Sequence, residues 1–258
     1  MERRTTDTTP FYVFESLAAI PLPHAVLTRH GGVSEGPYQS LNLSFVVGDD
    51  EAAVRENIRR AYTVIGGDPT QGVRPWMVHG SRTRAVDRRH AGQRVPPADG
   101  LVTATPGLPL TMTFGDCQPI LIYDPIHHAL ALGHAGWRGT LAGIALSLVA
   151  ALQANFGSRP QTLRAALGPA IGACCYEVGP DVVARASWPG SRHWFQPNSH
   201  RPHFDLTAAN TDLLLRTGIP ASNIEQANLC TGCRTDEFFS YRKEKPVTGR
   251  FALLAMLA

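Results

Sequence analysis

Three side chains able to bind metal or act as nucleophiles share one local pattern. His79 is followed by Gly80, Cys117 is preceded by Gly115-Asp116, and His134 is preceded by Gly133. Each ends a run that reads as a β-strand. Glycine lets the backbone take positive φ and approach a ligand closely, so a strand that stops in glycine beside a Cys or His can carry a site. Two imidazoles and one thiolate fill three positions of a tetrahedral zinc and leave the fourth open, as catalytic zinc sites do. The same residues also read as a metal-free pair. Cys117 is then a nucleophile, His134 its base, and the N–H groups near Gly115 or Gly136 an oxyanion hole. A third reading is a metal-binding or partner protein without catalysis. Spacing alone leaves all three open.

The elements that must position these groups lie between Asp99 and Thr140. Apolar, β-prone runs predict strands over 108–114, 119–123 and 128–132, each closed by glycine, aspartate or proline. A helix is expected from 140 to 156, apolar on most sides and so packed on a sheet. The Gly136–Gly139 turn would then lie at its N-terminus, where free N–H groups suit an anion. Upstream, 11–14, 25–28, 40–44 and 75–78 read as strands, and residues before 10 as a loose end. A helix capped by Asp49 and Asp50 is expected to run to about residue 65. Downstream, strands are expected over 163–167, 224–229 and 251–257. A helix is expected to start at 179–181, and Asp205 to cap another ending near Arg216. The segment 187–202 reads as a surface loop, with His193, His200 and His203 as surface groups alongside His90. Irregular alternation of strands and helices implies an α/β fold, a single layered domain over 1–258 with mixed β-sheets and flanking helices.

Composition narrows the function classes. The chain has 258 residues, 43% of them hydrophobic and 17% charged, as in an ordinary globular protein. A net charge of +3 gives no reason to expect a nucleic-acid or membrane partner. The arginine-rich stretch 81–94 has no interleaved aromatics and reads as a solvated hairpin. Nearly all the positive charge is arginine, the lysines being Lys243 and Lys245; arginine grips phosphate or carboxylate with two hydrogen bonds. Five cysteines without a secretory segment argue against a disulfide framework and for the cytoplasm. Cys230 and Cys233 form a C-x-x-C, which lacks ligands for a closed zinc knuckle unless Cys174 and Cys175 join it.

Seven stretches are familiar together: TRHGGVSEGPYQSLNL, VHG, ADGLVT, GDCQPILIYDP, GHAGWRGTLAGI, LGPAIGACCYEVG and CTGCRTDEFFSYRKEKPVTGR. With them the chain resembles the laccase-domain family, also called YfiH-like or multicopper polyphenol oxidase, whose members are described as zinc-dependent purine nucleoside phosphorylases. The resemblance implies zinc ligands at His79, Cys117 and His134, the trio already singled out. It implies phosphorolysis of adenosine, inosine and S-methyl-5′-thioadenosine to free base and ribose 1-phosphate, with adenosine deaminase activity besides. Small purine nucleosides and phosphate are then the partners, with no nucleic acid and no membrane. Met77 departs from the family, which usually has Gln two residues before the first His. A true laccase is rejected on chemistry: its copper sites use His-x-His pairs, and none of the ten histidines lies two positions from another. A single zinc suits the set, with copper as a possible substitute.

The resemblance also frames the remaining site expectations. An open zinc position lowers the pKa of bound water from 15.7 to about 7, which would serve deamination. Asp116, beside the ligand Cys117, is the expected proton shuttle. Phosphate calls for arginine and free N–H groups, which Arg138 with the Gly136–Gly139 turn would supply, and Arg29 as a second candidate. Ser240, Tyr241 and Arg242 are expected to close the pocket. The metal-free alternative, with Cys117 and His134, would suit an amidase that edits peptidoglycan precursors.

Overall fold

The computed structural model describes all residues except 7, 197–200 and 246. His200 therefore lies outside the described residues. The strands of the first half are β1 (Glu2–Thr6), β2 (Thr9–Val13), β3 (His24–Leu27), β4 (Arg74–Pro75), β5 (Thr83–Ala85), β6 (Arg94–Val95), β7 (Gly100–Thr103) and β8 (Leu110–Phe114). Those of the second half are β9 (Gln118–Asp124), β10 (Ala129–Ala135), β11 (Arg164–Leu167), β12 (Phe195–Gln196), β13 (His203–Phe204), β14 (Ile224–Gln226) and β15 (Phe251–Ala255). The α-helices are α1 (Glu15–Ala18), α2 (Glu51–Val64), α3 (Trp137–Leu141), α4 (Ile144–Phe156), α5 (Pro180–Ala184), α6 (Leu206–Arg216) and α7 (Tyr241–Glu244).

Two sheets lie face to face. One runs β1-β2-β3-β15-β8 and the other β14-β11-β9-β10-β7-β5; β4 pairs with β6 and β12 with β13. The second sheet is mixed, with β11–β14 and β5–β7 parallel and its other pairs antiparallel. Both β9 and β10 are buried along their whole length, and their alternation assigns each residue a face. Ile120, Ile122, Ala129 and Ala131 meet α4 and α6, whose Leu148, Val149, Leu152 and Leu213 complete that core. Leu121, Tyr123, Leu130 and Leu132 point the other way and join Met112, Phe114, Phe251 and Leu253 between the sheets. On the outer face of the first sheet, Phe11, Val13, Ala252 and Leu254 pack with Ala61 and Tyr62 of α2. The result is four layers, helix–sheet–sheet–helices, as the expected α/β layering requires.

Several local expectations need correction. Residues 2–6 are not loose, since they pair along β2 from Glu2↔Val13 to Thr6↔Thr9. No strand forms over 40–44. Asn57 Nδ2 from α2 donates to the carbonyls of Ser40 (3.1 Å) and Asn42 (2.9 Å), so side-chain bonds take what a ladder would have used. The helix expected from 140 begins at Trp137 and is interrupted before 144, where Gly143 has φ +81°. The loop at 187–202 contains a 3-10 turn, Ser191–Trp194, and then β12. The strand expected over 224–229 stops at Gln226, and that expected over 75–78 shrinks to Arg74–Pro75.

Candidate metal centre

The chain changes sheets between β8 and β9, and Gly115-Asp116-Cys117 makes the crossing. Asp116 has φ +92° there, a conformation that costs a non-glycine residue about 1–3 kcal/mol and persists where surroundings enforce it. The enforcement is visible. Asp116 accepts hydrogen bonds from Thr231 Oγ1 (2.6 Å), Ser240 Oγ (2.7 Å) and the Arg242 amide (2.6 Å). This bracket fixes the neighbouring Cys117 at the rim between the sheets.

His134 lies near the end of β10, on the same face as Leu130 and Leu132, with its ring centroid 5.5 Å from that of Phe114. Pairing Gly133 with Gly100 puts Asp99 opposite His134. The carboxylate of Asp99 is fully buried. It accepts from His134 Nδ1 (3.0 Å) and from the amides of Val78 (3.2 Å), His79 (2.9 Å) and Gly80 (2.7 Å). One buried anion thus orients one imidazole and clamps the turn that carries the other. His79 has φ +59° in that turn, and its ring meets that of His134 edge-on at 4.9 Å.

The three sequence-predicted ligands do come together. One ligand atom from each of His79, Cys117 and His134 lies within 4.8 Å of the others. With Nδ1 of His134 given to Asp99, its Nε2 is the nitrogen left for a metal, the usual carboxylate–histidine–metal arrangement. Gly136 leaves the room. A Cβ there would stand 2.8 Å from Cys117 Sγ and 3.3 Å from a carbon of the His79 ring. Gly133 similarly admits Leu148 from the helix side, where a Cβ would meet Cδ1 at 2.5 Å. Burial works to raise the Cys117 thiol, but the imidazoles of His134 and His79 outweigh it and bring the thiol down to about 6. Burial likewise disfavours imidazolium at His134, and Cys117 and Asp99 reverse this, raising it to about 9. A soft thiolate, two imidazoles and an open side form the donor chemistry of a catalytic zinc.

The substrate-side candidates divide. Arg138 is exposed, with its guanidinium 4.3 Å from the centroid of the Trp137 ring. It lies in α3, only five residues long, so the helix dipole adds little. Arg242 lies 5.0 Å from the Tyr176 ring centroid and donates to the Glu177 carbonyl (2.7 Å). Ser240 is fully buried on Asp116, while Tyr241 is exposed. Arg29 is committed elsewhere. It pairs with Glu244 (2.7 Å), donates to the Thr235 carbonyl (2.7 Å) and lies over Phe239, so it ties the 235–244 segment to the first sheet. Met77 packs against the apolar core between the sheets, where its thioether is at home.

Three residues escaped the sequence reading. Asp99 enters it only as the second residue of ADGLVT and the first of the 99–140 stretch, with no role. Arg250 is partly buried behind Gly115, whose Cβ would lie 2.9 Å from Arg250 Cδ; burial lowers its pKa, while Cys117 and Asp116 favour its charge. Tyr176 is the aromatic surface beneath Arg242, and burial raises its hydroxyl, with Cys117 adding to the rise. The one available signal was membership in the ADGLVT, VTGR and CCYEVG stretches.

A family model described as "Multi-copper polyphenol oxidoreductase laccase" matches residues 23–258. Similar proteins include "Purine nucleoside phosphorylase YlmD" of Geobacillus stearothermophilus, 38% identical over 86% of this chain and 85% of the relative. A "Purine nucleoside phosphorylase" of Deinococcus radiodurans is 38% identical over 90% of this chain and 87% of its own. Among solved structures, Bacillus licheniformis YfiH superposes with a TM-score of 0.93 at 31% identity, covering 99% of both chains. YlmD of Geobacillus stearothermophilus gives 0.93 at 33%, covering 98% of this chain and 97% of its own. The quoted motifs, the shared fold and a match reaching from residue 23 to the last residue agree, and the chain belongs to the laccase-domain, YfiH-like family.

Proposed function

We propose that the chain is a zinc-dependent purine nucleoside phosphorylase acting on adenosine, inosine and S-methyl-5′-thioadenosine, with adenosine deaminase activity at the same site. The observation that carries this reading is the trio itself, three ligand atoms within 4.8 Å at an open rim. Relatives named as purine nucleoside phosphorylases support it. His79, Cys117 and His134 would hold the metal, which would supply the Lewis acidity and water activation that deamination needs. Asp99 keeps His134 in the ligating tautomer and fixes the His79 turn. Arg138, exposed beside the trio's turn, binds phosphate, and Trp137 holds its guanidinium in place. Tyr176 and Arg242 form the wall against which the nucleoside lies. Asp116 positions Ser240 and Arg242. Its Oδ1 accepts from two hydroxyls and its Oδ2 from one amide, so the one lone-pair site left for a proton is on Oδ2. Five free cysteines suit a reducing compartment, in keeping with the cytoplasm. No helix among the described residues is long and apolar enough to cross a membrane.

The metal-free reading keeps one observation in its favour. The lowered Cys117 and raised His134 describe a thiolate–imidazolium pair, the resting form of a cysteine nucleophile. Chromatography of adenosine incubated with metal-analysed protein, with and without phosphate, decides between the two. Phosphate-dependent release of adenine from zinc-loaded protein supports the first. Turnover of an amide substrate by metal-free protein, without nucleoside turnover, supports the second.

A further inference from the structure

The chain holds a second group of metal-binding side chains. Cys174 and Cys175 follow β11, and Cys230 and Cys233 follow β14. Because β11 and β14 run parallel side by side, both segments leave the sheet at the same end. Ala170 bridges to Cys230 in the same sense, and the four sulfurs converge, every pair within 4.8 Å. Cys233 Sγ stands 3.5 Å from both Cys174 Sγ and Cys175 Sγ. A zinc with four thiolates at about 2.3 Å has a sulfur–sulfur edge of about 3.8 Å, so these four need only settle slightly around one ion. A disulfide would join two sulfurs and leave the others unexplained, whereas here one sulfur is equidistant from two.

The backbone is arranged as a metal knuckle requires. The amides of Cys233 (3.2 Å) and Arg234 (2.9 Å) fold back on the Cys230 carbonyl. The Gly172 amide points at Cys230 Sγ (3.2 Å), a donor that helps carry thiolate charge. On the other segment, the amides of Cys175 and Tyr176 close on the Gly172 carbonyl. Four thiolates around a divalent ion leave net negative charge. Lys243, one of the chain's two lysines, brings Cε to 3.6 Å from where a Cβ of Gly232 would stand.

We propose that Cys174, Cys175, Cys230 and Cys233 bind one zinc ion as a closed, structural tetrathiolate site, separate from the His79–Cys117–His134 centre. Four protein ligands leave no open position, so this site does no chemistry of its own. Its work is mechanical. Thr231, between the two cysteines of the C-x-x-C, donates to Asp116, and Tyr176 follows Cys175 directly. The ion staples both segments to the turn that presents Cys117.

The test is metal and thiol counting on full-length protein purified under reductant. Wild-type protein should carry about two zinc ions per chain, and Cys117→Ala should keep about one, with X-ray absorption showing only sulfur neighbours at about 2.3 Å. Cys233→Ser should lower the wild-type count by about one while leaving the nitrogen-containing shell of the other centre. If Cys233→Ser does not fold, the Cys117→Ala spectrum still decides. A metal-free Cys117→Ala protein with its four thiols free, or a mass showing disulfides among them, overturns the proposal. Nucleoside turnover does not enter the test, so its outcome is independent of the proposed activity.

Discussion

Asp99 Oδ1 lies 3.0 Å from His134 Nδ1 and 2.9 Å from the His79 amide. A single fully buried carboxylate therefore sets the geometry of two of the three proposed ligands. Asp99→Asn keeps the volume but loses the charge that fixes the His134 tautomer. Zinc affinity at the trio should fall by about 10–100-fold, measured by competition with a chromophoric chelator. An unchanged affinity would show that Asp99 is only a turn anchor.

Cys117→Ala should remove the zinc of the trio and the nucleoside activity together, since two imidazoles alone leave half the coordination shell empty. Cys230→Ser should spare that zinc, whatever it does to the tetrathiolate. Metal analysis of both variants beside wild type checks this. Full retention of nitrogen-ligated zinc in Cys117→Ala would remove Cys117 from the ligand set.

Arg138→Ala should weaken phosphorolysis through phosphate affinity while affecting deamination less. A charge-assisted hydrogen bond contributes about 1.5–3 kcal/mol, or roughly ten- to 150-fold. The readout is KM for phosphate against the rate of inosine formation without phosphate. Equal loss of both reactions would place Arg138 on the purine or in the fold.

The charge state of Cys117 predicts a pH dependence in metal-stripped protein. Its thiol is lowered to about 6 by His134 and His79 acting against burial, so alkylation at Cys117 should have its midpoint there rather than near 8.5. Zinc should protect it. The effect on stability is flat in the middle of the range. Folded, the pair holds its one proton on His134; unfolded, it holds that proton on Cys117. The proton count therefore differs little between about 6.5 and about 8.5. Below that window the lowered Cys117 loses its contribution as pH falls through about 6. Above it the raised His134 loses its own as pH rises through about 9. An alkylation midpoint near 8.5 would contradict the ion pair.

The trio was legible because its signal is local: a glycine lies within two residues of each ligating side chain, although the strand ends expected beside them shift, with His79 in a turn beyond β4 and His134 inside β10. Apolar, β-prone runs closed by turn residues likewise exposed the buried strands β9 and β10. What stayed hidden depends on contacts between distant segments. Nothing in ADGLVT says that Asp99 faces His134, because that follows from the register of β7 on β10. The convergence of Cys174, Cys175, Cys230 and Cys233 needed the parallel pairing of β11 with β14. At 40–44 the apolar alternation misled, because Asn57 supplies from α2 the hydrogen bonds a neighbouring strand would have made. The edge strand at 2–6 has no apolar pattern and is entirely exposed, so only its partner β2 reveals it.

The reaction itself is the most direct test. Zinc-loaded protein, incubated with adenosine and phosphate and resolved by chromatography, should yield adenine and ribose 1-phosphate. Inosine should yield hypoxanthine under the same conditions, and adenosine without phosphate should slowly form inosine. Adenosine, inosine and S-methyl-5′-thioadenosine all left intact near neutral pH, with zinc at His79, Cys117 and His134 verified, would contradict the proposed activity.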